Sequence, residues 1–372
     1  MKKEYTEITN DLMFPEGPIS MPDGSIILVE IARGTLTQVH SNGSKDILAE
    51  LGGGPNGAAI GPDGCVYVCN NGGFEWHNID GLLIPGGQGD DYSGGRIEKV
   101  DIKSGSVETI YTECDGNPLK GPNDIVFDRE GGFWFTDLGK SYGRQKDQGA
   151  LFYATPDGKF IKEVVFPIES ANGVGLSPEE DIVYVADTNP GRLWGYPITE
   201  PGVISGPKSF GVHSGMHFVH GSSELALFDS LAVDSEGWIN VATIFKGGIT
   251  RIAPDKSGFE FFETDDLLTT NICFGGEDLK TAYITLSSTG RLVKTDWDTP
   301  GHKLNFRIFK KELTISSKYF SLSFEGSPKS EFNLICLSIG IDPRKSTFNS
   351  LANFPPPSLP KISSCDPSGR IK

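Results

Sequence analysis

A short pattern that recurs six times constrains the fold of this chain more than any other feature. In its clearest copy, Gly121-Pro122-Asn123-Asp124 leads into a short apolar strand, an acidic turn with glycine, and an aromatic strand that ends at Asp137. The acidic residues of the six turns are Asp23, Asp63, Glu130, Glu179, Glu236 and Asp278. Seven positions before them stand six residues with a side-chain oxygen, here called the anchor residues: Glu16, Asn56, Asn123, Asn172, Asp229 and Asn271. Strand propensity does not require oxygen at these positions, so they are the first candidates for a functional site.

Each copy of the pattern predicts four short strands, with a glycine opening the third and usually a glycine-containing turn before the fourth. The 47 Gly and 24 Pro among 372 residues suit a chain with many turns. Six units of roughly 40 to 65 residues with four strands each predict an all-β protein, a six-bladed β-propeller. We expect residues 4–9 to pair with the last blade and close the ring, which would remove an open sheet edge.

The pattern stops near Phe306. Residues 301–372 hold eleven Lys and Arg against five Asp and Glu, and they are rich in Ser and Pro. We therefore predict a propeller domain over residues 1–310 and a basic C-terminal extension of low order over residues 311–372.

Charge and targeting signals limit the class of partner. The net charge of −16 argues against nucleic acid and against anionic membranes, but it is compatible with a cation site. The polar N-terminus lacks the apolar core of a signal peptide, and no run of about 18 apolar residues predicts a membrane span. Six scattered cysteines fit a reducing compartment, so the sequence predicts a cytoplasmic protein that acts on a small molecule.

The anchor residues should converge at one mouth of the central channel, because each begins the innermost strand of its blade. Two long inserts fall on the same face and are expected to form walls or lids: residues 71–94, with Trp76, and residues 211–228, with three histidines that include His217. We expect Trp76 and His217 to contact substrate. Three histidines could instead bind a transition metal, but a loop that faces substrate or solvent is the default.

Two carboxylates and four amides make a poor tetrahedral zinc site but a good site for a hard cation such as Ca²⁺. The alternative is that each anchor side chain only caps its own loop, as Asn and Asp commonly do. Six oxygen side chains in register, two of them acidic, favour one divalent ion. Calcium is the first choice, with Zn²⁺, Mn²⁺ or Mg²⁺ as alternatives.

The segments around the anchors carry a family resemblance over residues 12–306. They are Pro15-Glu16-Gly17-Pro18, Pro122-Asn123-Asp124, Ala171-Asn172-Gly173, Phe228-Asp229-Ser230 and Thr270-Asn271-Ile272-Cys273-Phe274-Gly275-Gly276. In these segments the chain resembles the gluconolactonase, senescence marker protein (regucalcin) and luciferin-regenerating enzyme family. That resemblance implies a six-bladed propeller with one divalent cation on its axis.

The resemblance also implies roles for individual residues. Glu16, Asn172 and Asp229 match the metal ligands of the family, and Asn123 matches a residue that touches substrate or metal. Asp229 is also implied as the catalytic base. Ser230 is a further candidate ligand, because some members use a serine after this aspartate, and Asp124 is another.

The implied activity is metal-dependent hydrolysis of a small lactone or ester. The cation would polarise the carbonyl, and Asp229 would take a proton from the attacking water. Asn123, Asn56 and Asn271 are expected to bind substrate or water, and Glu30, Asn70 and Asp137, at second-strand ends, are candidates to support the site.

The substrate class stays open at this point. Sugar lactonases of the family often carry arginine two positions before Asn123, where this chain has Gly121. One alternative is a phosphotriester or fluorophosphate hydrolase, since diisopropyl fluorophosphatase and paraoxonase resemble this metal arrangement. The other is a calcium-binding propeller without catalysis.

Overall fold

The structure, a computed structural model, describes residues 3–206 and 217–306. Regular structure in these residues is β-strand throughout, arranged as six blades around a channel, which confirms the predicted six-bladed propeller. None of the residues described forms a helix that is long and apolar enough to cross a membrane. The predicted extension, residues 311–372, lies outside the described residues, so the domain boundary stays a prediction.

The strands of each blade are given from the channel outwards. Blade 1 has Pro15–Ser20, Ile26–Glu30, Thr35–Val39 and Lys45–Glu50. Blade 2 has Pro55–Ile60, Val66–Asn70, Arg96–Val100 and Val107–Tyr111. Blade 3 has Pro122–Phe127, Phe133–Asp137, Gly149–Ala154 and Ile161–Ile168.

The second half of the ring repeats this order. Blade 4 has Ala171–Leu176, Ile182–Asp187 and Arg192–Glu200, with edge strands Val203–Ile204 and Phe218–Gly221. Blade 5 has Leu227–Val233, Ile239–Ile244, Gly248–Ile252 and Phe259–Glu263. Blade 6 has Thr269–Gly275, Thr281–Leu286, Arg291–Asp296 and the N-terminal Thr6–Thr9.

Three hairpins of two strands each lie outside the blades. They are Phe74–Ile79 with Leu82–Gln88, Glu113–Cys114 with Asn117–Pro118, and Ser141–Tyr142 with Gln145–Lys146.

The ring is closed by the N-terminal strand, as expected. Thr6 pairs with Lys294 and Thr9 with Leu292, so the first strand of the chain completes blade 6. The innermost strands of neighbouring blades also contact one another around the whole channel. Closure covers a sheet edge that would otherwise present unpaired N–H and C=O groups.

The apolar core is divided among the blades. Each adjacent pair of blades shares one buried cluster. Between blades 2 and 3, for example, the rings of Tyr67 and Phe127 lie 5.1 Å apart, edge to face. Because burial is achieved between the blades, the channel is free to carry polar groups.

Acidic turns join the first and second strands of the blades. Asp63 accepts a hydrogen bond from the N–H of Cys65 at 3.1 Å, and Asp128 accepts one from Glu130 at 3.0 Å. Gly131 has a φ of 89°, a left-handed conformation that favours glycine. These turns lie at the lower face, and the anchor residues lie at the opposite, upper face.

Candidate functional site

Every innermost strand has an irregular register at its anchor residue. In blade 3, Pro122 pairs with Asp137 and Ile125 pairs with Phe135. Between these two pairs the innermost strand advances by three residues while the second strand advances by two. The other five blades also carry one extra residue on the innermost strand at this place. Such a β-bulge breaks the alternation of the strand and re-aims a side chain. The bulge therefore frees the anchor side chains from packing between blades.

The anchor residues meet at the upper end of the channel, in what we call the anchor ring. Glu16 is 2% exposed, and its Oε2 accepts hydrogen bonds from Asn271 Nδ2 and from Gly17 N, both at 2.7 Å. The amide of Asn172 donates to the carboxylate of Asp229. Blade 6 is thus bonded to blade 1, and blade 4 to blade 5, through anchor side chains that are far apart in sequence.

Three oxygens of this ring have no partner. Glu16 Oε1, Asn123 Oδ1 and Asn172 Oδ1 are buried and accept no hydrogen bond from any described residue. A buried polar atom without a partner costs about 1–3 kcal/mol, so three in one ring indicate that a ligand is expected there. Within residues 3–206 and 217–306, no three or more His, Cys, Asp or Glu side chains form a metal cluster. A cation here would therefore need the amide oxygens.

The two acidic anchor residues have raised pKa values. Burial raises the pKa of Glu16 to about 7. Asp229 is half-buried as a residue, yet burial of its carboxyl group and then the charge of Glu16 raise its pKa well above the usual range. Both carboxylates would be stabilised in their ionised form by a cation between them.

Asp124 lies next to the ring and ties three blades together. Its Oδ1 accepts a hydrogen bond from Ile125 N at 2.9 Å, and its Oδ2 accepts one from Val174 N of blade 4 at 3.2 Å. The Ser230 side chain of blade 5 also hydrogen-bonds to this carboxylate. Burial, followed by the charge of Glu16, raises the pKa of Asp124 to about 7. Asp124 and Ser230, both candidate ligands from the sequence, are thus engaged with each other and with backbone.

The residue that follows the anchor, which is Asp124 in blade 3, is a glycine in blades 1, 2 and 4. A Cβ at Gly57 would lie only 2.4 Å from the carbonyl oxygen of Asn123, and one at Gly173 would lie 2.6 Å from that of Asp229. These glycines let each bulge approach the bulge of the next blade closely. The anchor ring is compact for this reason.

The polar residues at second-strand ends hold the loops that precede the anchors. Asp137 accepts hydrogen bonds from the N–H groups of Lys120 and Gly121, both at 2.7 Å. Asn70 Oδ1 accepts one from Gly54 N at 2.9 Å, and Glu30 Oε2 accepts one from Met13 N at 2.7 Å. These three residues therefore support the ring through the backbone.

Asp187, which was not predicted from the sequence, supports the ring in the same way, because it accepts a hydrogen bond from the N–H of Ser170 at 2.8 Å. Its position in the repeat is the same as that of Glu30, Asn70 and Asp137. Alignment of the second strands is the signal that would have found it.

Trp76 lies on the hairpin Phe74–Ile79 with Leu82–Gln88, which we call the roof hairpin. Its ring packs 5.2 Å from that of Phe14, just before the innermost strand of blade 1. Leu83 N donates to the carbonyl of Ser288, in blade 6, at 2.9 Å. The hairpin therefore starts in blade 2, passes over blade 1 and reaches blade 6 at the upper face, as expected for a wall or lid.

His217 is not brought to the anchor ring. It precedes the edge strand Phe218–Gly221 of blade 4, its ring lies 4.9 Å from Tyr196, and Nε2 is 3.3 Å from the carbonyl oxygen of Ser205. Three strand spacings, roughly 14 Å, separate this edge from the channel. The expected substrate contact of His217 does not fit this position. Residues 211–216 of the same insert lie outside the described part of the chain.

Asn56 and Asn271 have different surroundings. Asn56 is buried at the start of the innermost strand of blade 2, and its carbonyl oxygen faces Gly17. Asn271 donates to Glu16 and accepts a hydrogen bond from Ile272 N at 2.7 Å. The Asn271 amide is therefore occupied within the ring, where it orients Glu16.

Comparisons with curated proteins find related lactonases. The chain is 30% identical over 247 residues to lactonase drp35 of Staphylococcus saprophyticus, covering 66% of this chain and 68% of that protein. It is 22% identical over 311 residues to the gluconolactonase of Zymomonas mobilis, covering 77% and 80%.

Solved structures show the same fold. A gluconolactonase from Xanthomonas campestris superposes with a TM-score of 0.61 at 19% identity, covering 80% of this chain and 90% of that one. Regucalcin from Agrobacterium tumefaciens, described as a calcium-binding protein, superposes with a TM-score of 0.62 at 18% identity, covering 82% and 99%. The family described as SMP-30/Gluconolactonase/LRE-like matches residues 14–288, a stretch that contains all six blades' anchor residues. With that match over most of its length, the chain belongs to the SMP-30/gluconolactonase/LRE-like family.

Proposed function

We propose that this chain is a lactonase that depends on one divalent cation, held by Glu16, Asn123, Asn172 and Asp229. The observation that carries the proposal is a set of three buried oxygens that have no hydrogen-bond partner in the described part of the chain: Glu16 Oε1, Asn123 Oδ1 and Asn172 Oδ1. The names of the related lactonase drp35 and gluconolactonase support lactone hydrolysis. The calcium-binding description of regucalcin supports calcium as the ion.

The donor set fits a hard cation. It contains only oxygen, from two carboxylates and two amides, and Ca²⁺ typically takes about six to eight oxygen ligands. Four protein ligands would leave positions for water and substrate. A divalent charge would also offset the two effects that raise the pKa of Asp229, which are burial and then repulsion by Glu16.

The side chains of the ring have separate tasks in this proposal. The bound cation supplies polarisation of the lactone carbonyl. Asp229, which the cation would keep ionised, accepts the proton of the attacking water. Asn172 donates to Asp229 and fixes the orientation of that carboxylate. Asn123 and Asn56 orient substrate and water.

In this proposal the carboxylates of Glu16 and Asp124 are fixed by hydrogen bonds and do not accept the proton of the attacking water. Asn271 fixes one oxygen of Glu16 and leaves the other for the cation. Asp124 and Ser230 hold the bulges of blades 3, 4 and 5 together next to the anchor ring. The water-derived proton therefore has one acceptor in the ring, Asp229.

A substrate panel tests the proposal. Purified protein is assayed with a sugar lactone, an aliphatic lactone, an aromatic lactone and a phosphotriester, each with added calcium and with a chelator. We expect hydrolysis of at least one lactone that the chelator abolishes and calcium restores. Hydrolysis of the phosphotriester alone would replace the lactonase assignment, and lactone hydrolysis that survives the chelator would contradict the cation.

A further inference from the structure

Lys140 is a buried cation that the proposed chemistry does not use. It follows the second strand of blade 3 at the upper face and is 2% exposed. Lysine is almost never buried to this degree unless its ammonium group is paired. The partners of Lys140 therefore indicate what it is for.

All of these partners belong to the root of the insert in blade 2. Nζ donates to Asn71 Oδ1 at 3.0 Å and to the carbonyl oxygen of Gly73 at 2.7 Å. It also lies 3.8 Å from the ring centroid of Phe74 and 5.5 Å from that of Tyr92. One ammonium group thus gathers two oxygens and two aromatic faces, all from residues 71–92.

We propose that Lys140 is a positioning residue that fixes the roof hairpin over the Glu16 side of the proposed cation site. The hairpin is held at its far end by the contact of Trp76 with Phe14 and by the hydrogen bond from Leu83 to Ser288. Lys140 holds the other end of the hairpin, where the chain enters it at Asn71, Gly73 and Phe74. The two attachments together set how far the hairpin stands above blade 1.

Close backbone packing beside Lys140 supports this role. A Cβ at Gly87, on the second strand of the hairpin, would lie 2.6 Å from the carbonyl oxygen of Ser141, the residue after Lys140. The blade 3 hairpin that begins at Ser141 also contacts the strand Leu82–Gln88. Both strands of the roof hairpin are therefore anchored to the same short loop of blade 3.

Burying the ammonium group of Lys140 has an electrostatic cost, which lowers the pKa of its side chain. Burial lowers the pKa of Lys140 to about 7, against the opposing effect of the Asp137 charge. An apolar side chain would fill the space without that cost, but it could not bond the oxygens of Asn71 and Gly73. The lysine is thus suited to fixing geometry more than to adding stability.

For the reaction, loss of Lys140 should affect substrate binding more than turnover, because the hairpin covers the site while Lys140 touches neither the anchor ring nor Asp229. This kinetic expectation depends on the proposed lactonase function. The hairpin itself can be tested separately, by hydrogen exchange of its backbone amides, whatever the chain hydrolyses.

The experiment compares the Lys140→Met variant with the wild-type protein and with a Lys120→Met variant, all as full-length chains. Lys120 is an exposed lysine in the same upper-face region of blade 3, so its variant controls for loss of charge. A second variant, Phe74→Leu, removes the aromatic face but keeps the lysine. Hydrogen exchange is followed in the peptides that cover residues 74–88 and, as reference, residues 122–137.

In Lys140→Met we expect exchange of residues 74–88 to accelerate about tenfold or more, with residues 122–137 unchanged and KM raised several-fold more than kcat falls. Phe74→Leu should give a smaller change in the same direction, and Lys120→Met none. Unchanged exchange in the hairpin would overturn the proposal. Equal acceleration in both peptides would also overturn it, because Lys140 would then serve general stability. If the wild-type protein hydrolyses no lactone, the proposed function fails, and the exchange data still decide the role of Lys140.

Discussion

The upper and lower halves of the central channel are built by the same six strands but differ in chemistry. In the upper half, the bulges gather two carboxylates and four amides, and three of their oxygens lack hydrogen-bond partners among the residues that the structure describes. In the lower half, the strands pair regularly, and side chains such as Ile125, Val174 and Leu231 line an apolar cavity of about 130 Å³. His302, Leu304, Asn305 and Phe306 line the lower end of this cavity, where Asn305 donates to Phe127 O at 3.1 Å and to Glu180 at 2.7 Å.

This difference shows how a repeat can build a scaffold and a site from one strand. One extra residue at each bulge shifts the alternation of side chains, so polar residues meet on the axis above it while apolar residues occupy the axis below. Three anchor oxygens of the upper half have no hydrogen-bond partner among the described residues, against the Ser20 hydroxyl alone at the lower ends of the innermost strands. Changes in the upper half should therefore alter function at little cost in stability, and changes in the lower half should do the reverse.

Asp229→Asn should give the largest effect. We expect lactone hydrolysis to fall about 10³-fold, within the usual range for loss of a general base. The melting temperature of the cation-free protein should stay the same or rise, because the amide removes repulsion with Glu16. Steady-state kinetics and thermal unfolding measure the two quantities. Retained hydrolysis in this variant would remove Asp229 from its catalytic role.

Asn172→Ala should weaken cation binding at least about 100-fold, since even the loss of an outer partner of a metal ligand typically costs about 10–100-fold. Asn240→Ala is the matched control, because Asn240 also has a buried oxygen without a partner among the described residues but lies on the second strand of blade 5. Calorimetric titration with calcium compares the two. Equal affinities would show that the unpartnered oxygens of the ring do not mark a cation site.

Leu231→Ala tests the lower half. Leu231 lines the apolar cavity and is buried against Gly175, where an added Cβ would lie 2.5 Å from Leu231 Cδ1. We expect the free energy of unfolding to fall by about 2–3 kcal/mol, at the low end for such truncations. Calcium affinity should change far less than in Asn172→Ala, because the Leu231 side chain lines the lower cavity and offers no oxygen to a cation. Chemical denaturation and calcium titration provide the measurements. A large loss of calcium affinity would mean that the two halves are not separable.

The pH dependence of cation binding gives a smaller, graded effect. Burial raises the pKa of cation-free Glu16 to about 7, so below that pH the cation must displace a proton from Glu16 in addition to any proton on Asp229. Calcium affinity should therefore fall about tenfold per pH unit for each proton released as the pH drops below about 7. Titrations between about pH 5 and 8 measure the slope, which Glu16→Gln should reduce. A flat profile would show that Glu16 is not a ligand.

The repeat made the strands, the blade count and the six anchor positions predictable. Alternation of apolar side chains and the chemistry of acidic turns are local, so the sequence around Asp63 or Glu130 determines them without reference to the rest of the fold. Closure of the ring by the first strand was also predictable, because an unpaired edge in the last blade needs a partner.

Hydrogen-bond and packing partners that lie in different blades were not predictable from the repeat pattern and the turn chemistry. The bond from Asn271 to Glu16 joins residues 255 positions apart and exists only after the ring closes. The path of the roof hairpin, the burial of Lys140 and the position of His217 at a blade edge all depend on non-local packing. The expectation that Asn271 binds substrate failed to anticipate this bond, because spacing alone does not show which anchor a neighbour will use.

Calcium titration of chelator-treated protein tests the central claim most directly. Calorimetry on the wild-type chain should show one ion bound per chain, and Glu16→Gln should bind it at least about 100-fold more weakly. Both proteins should be equally folded by circular dichroism, since the amide keeps the shape of Glu16. Failure of the wild-type chain to bind a divalent ion, or equal binding by Glu16→Gln, would contradict the account.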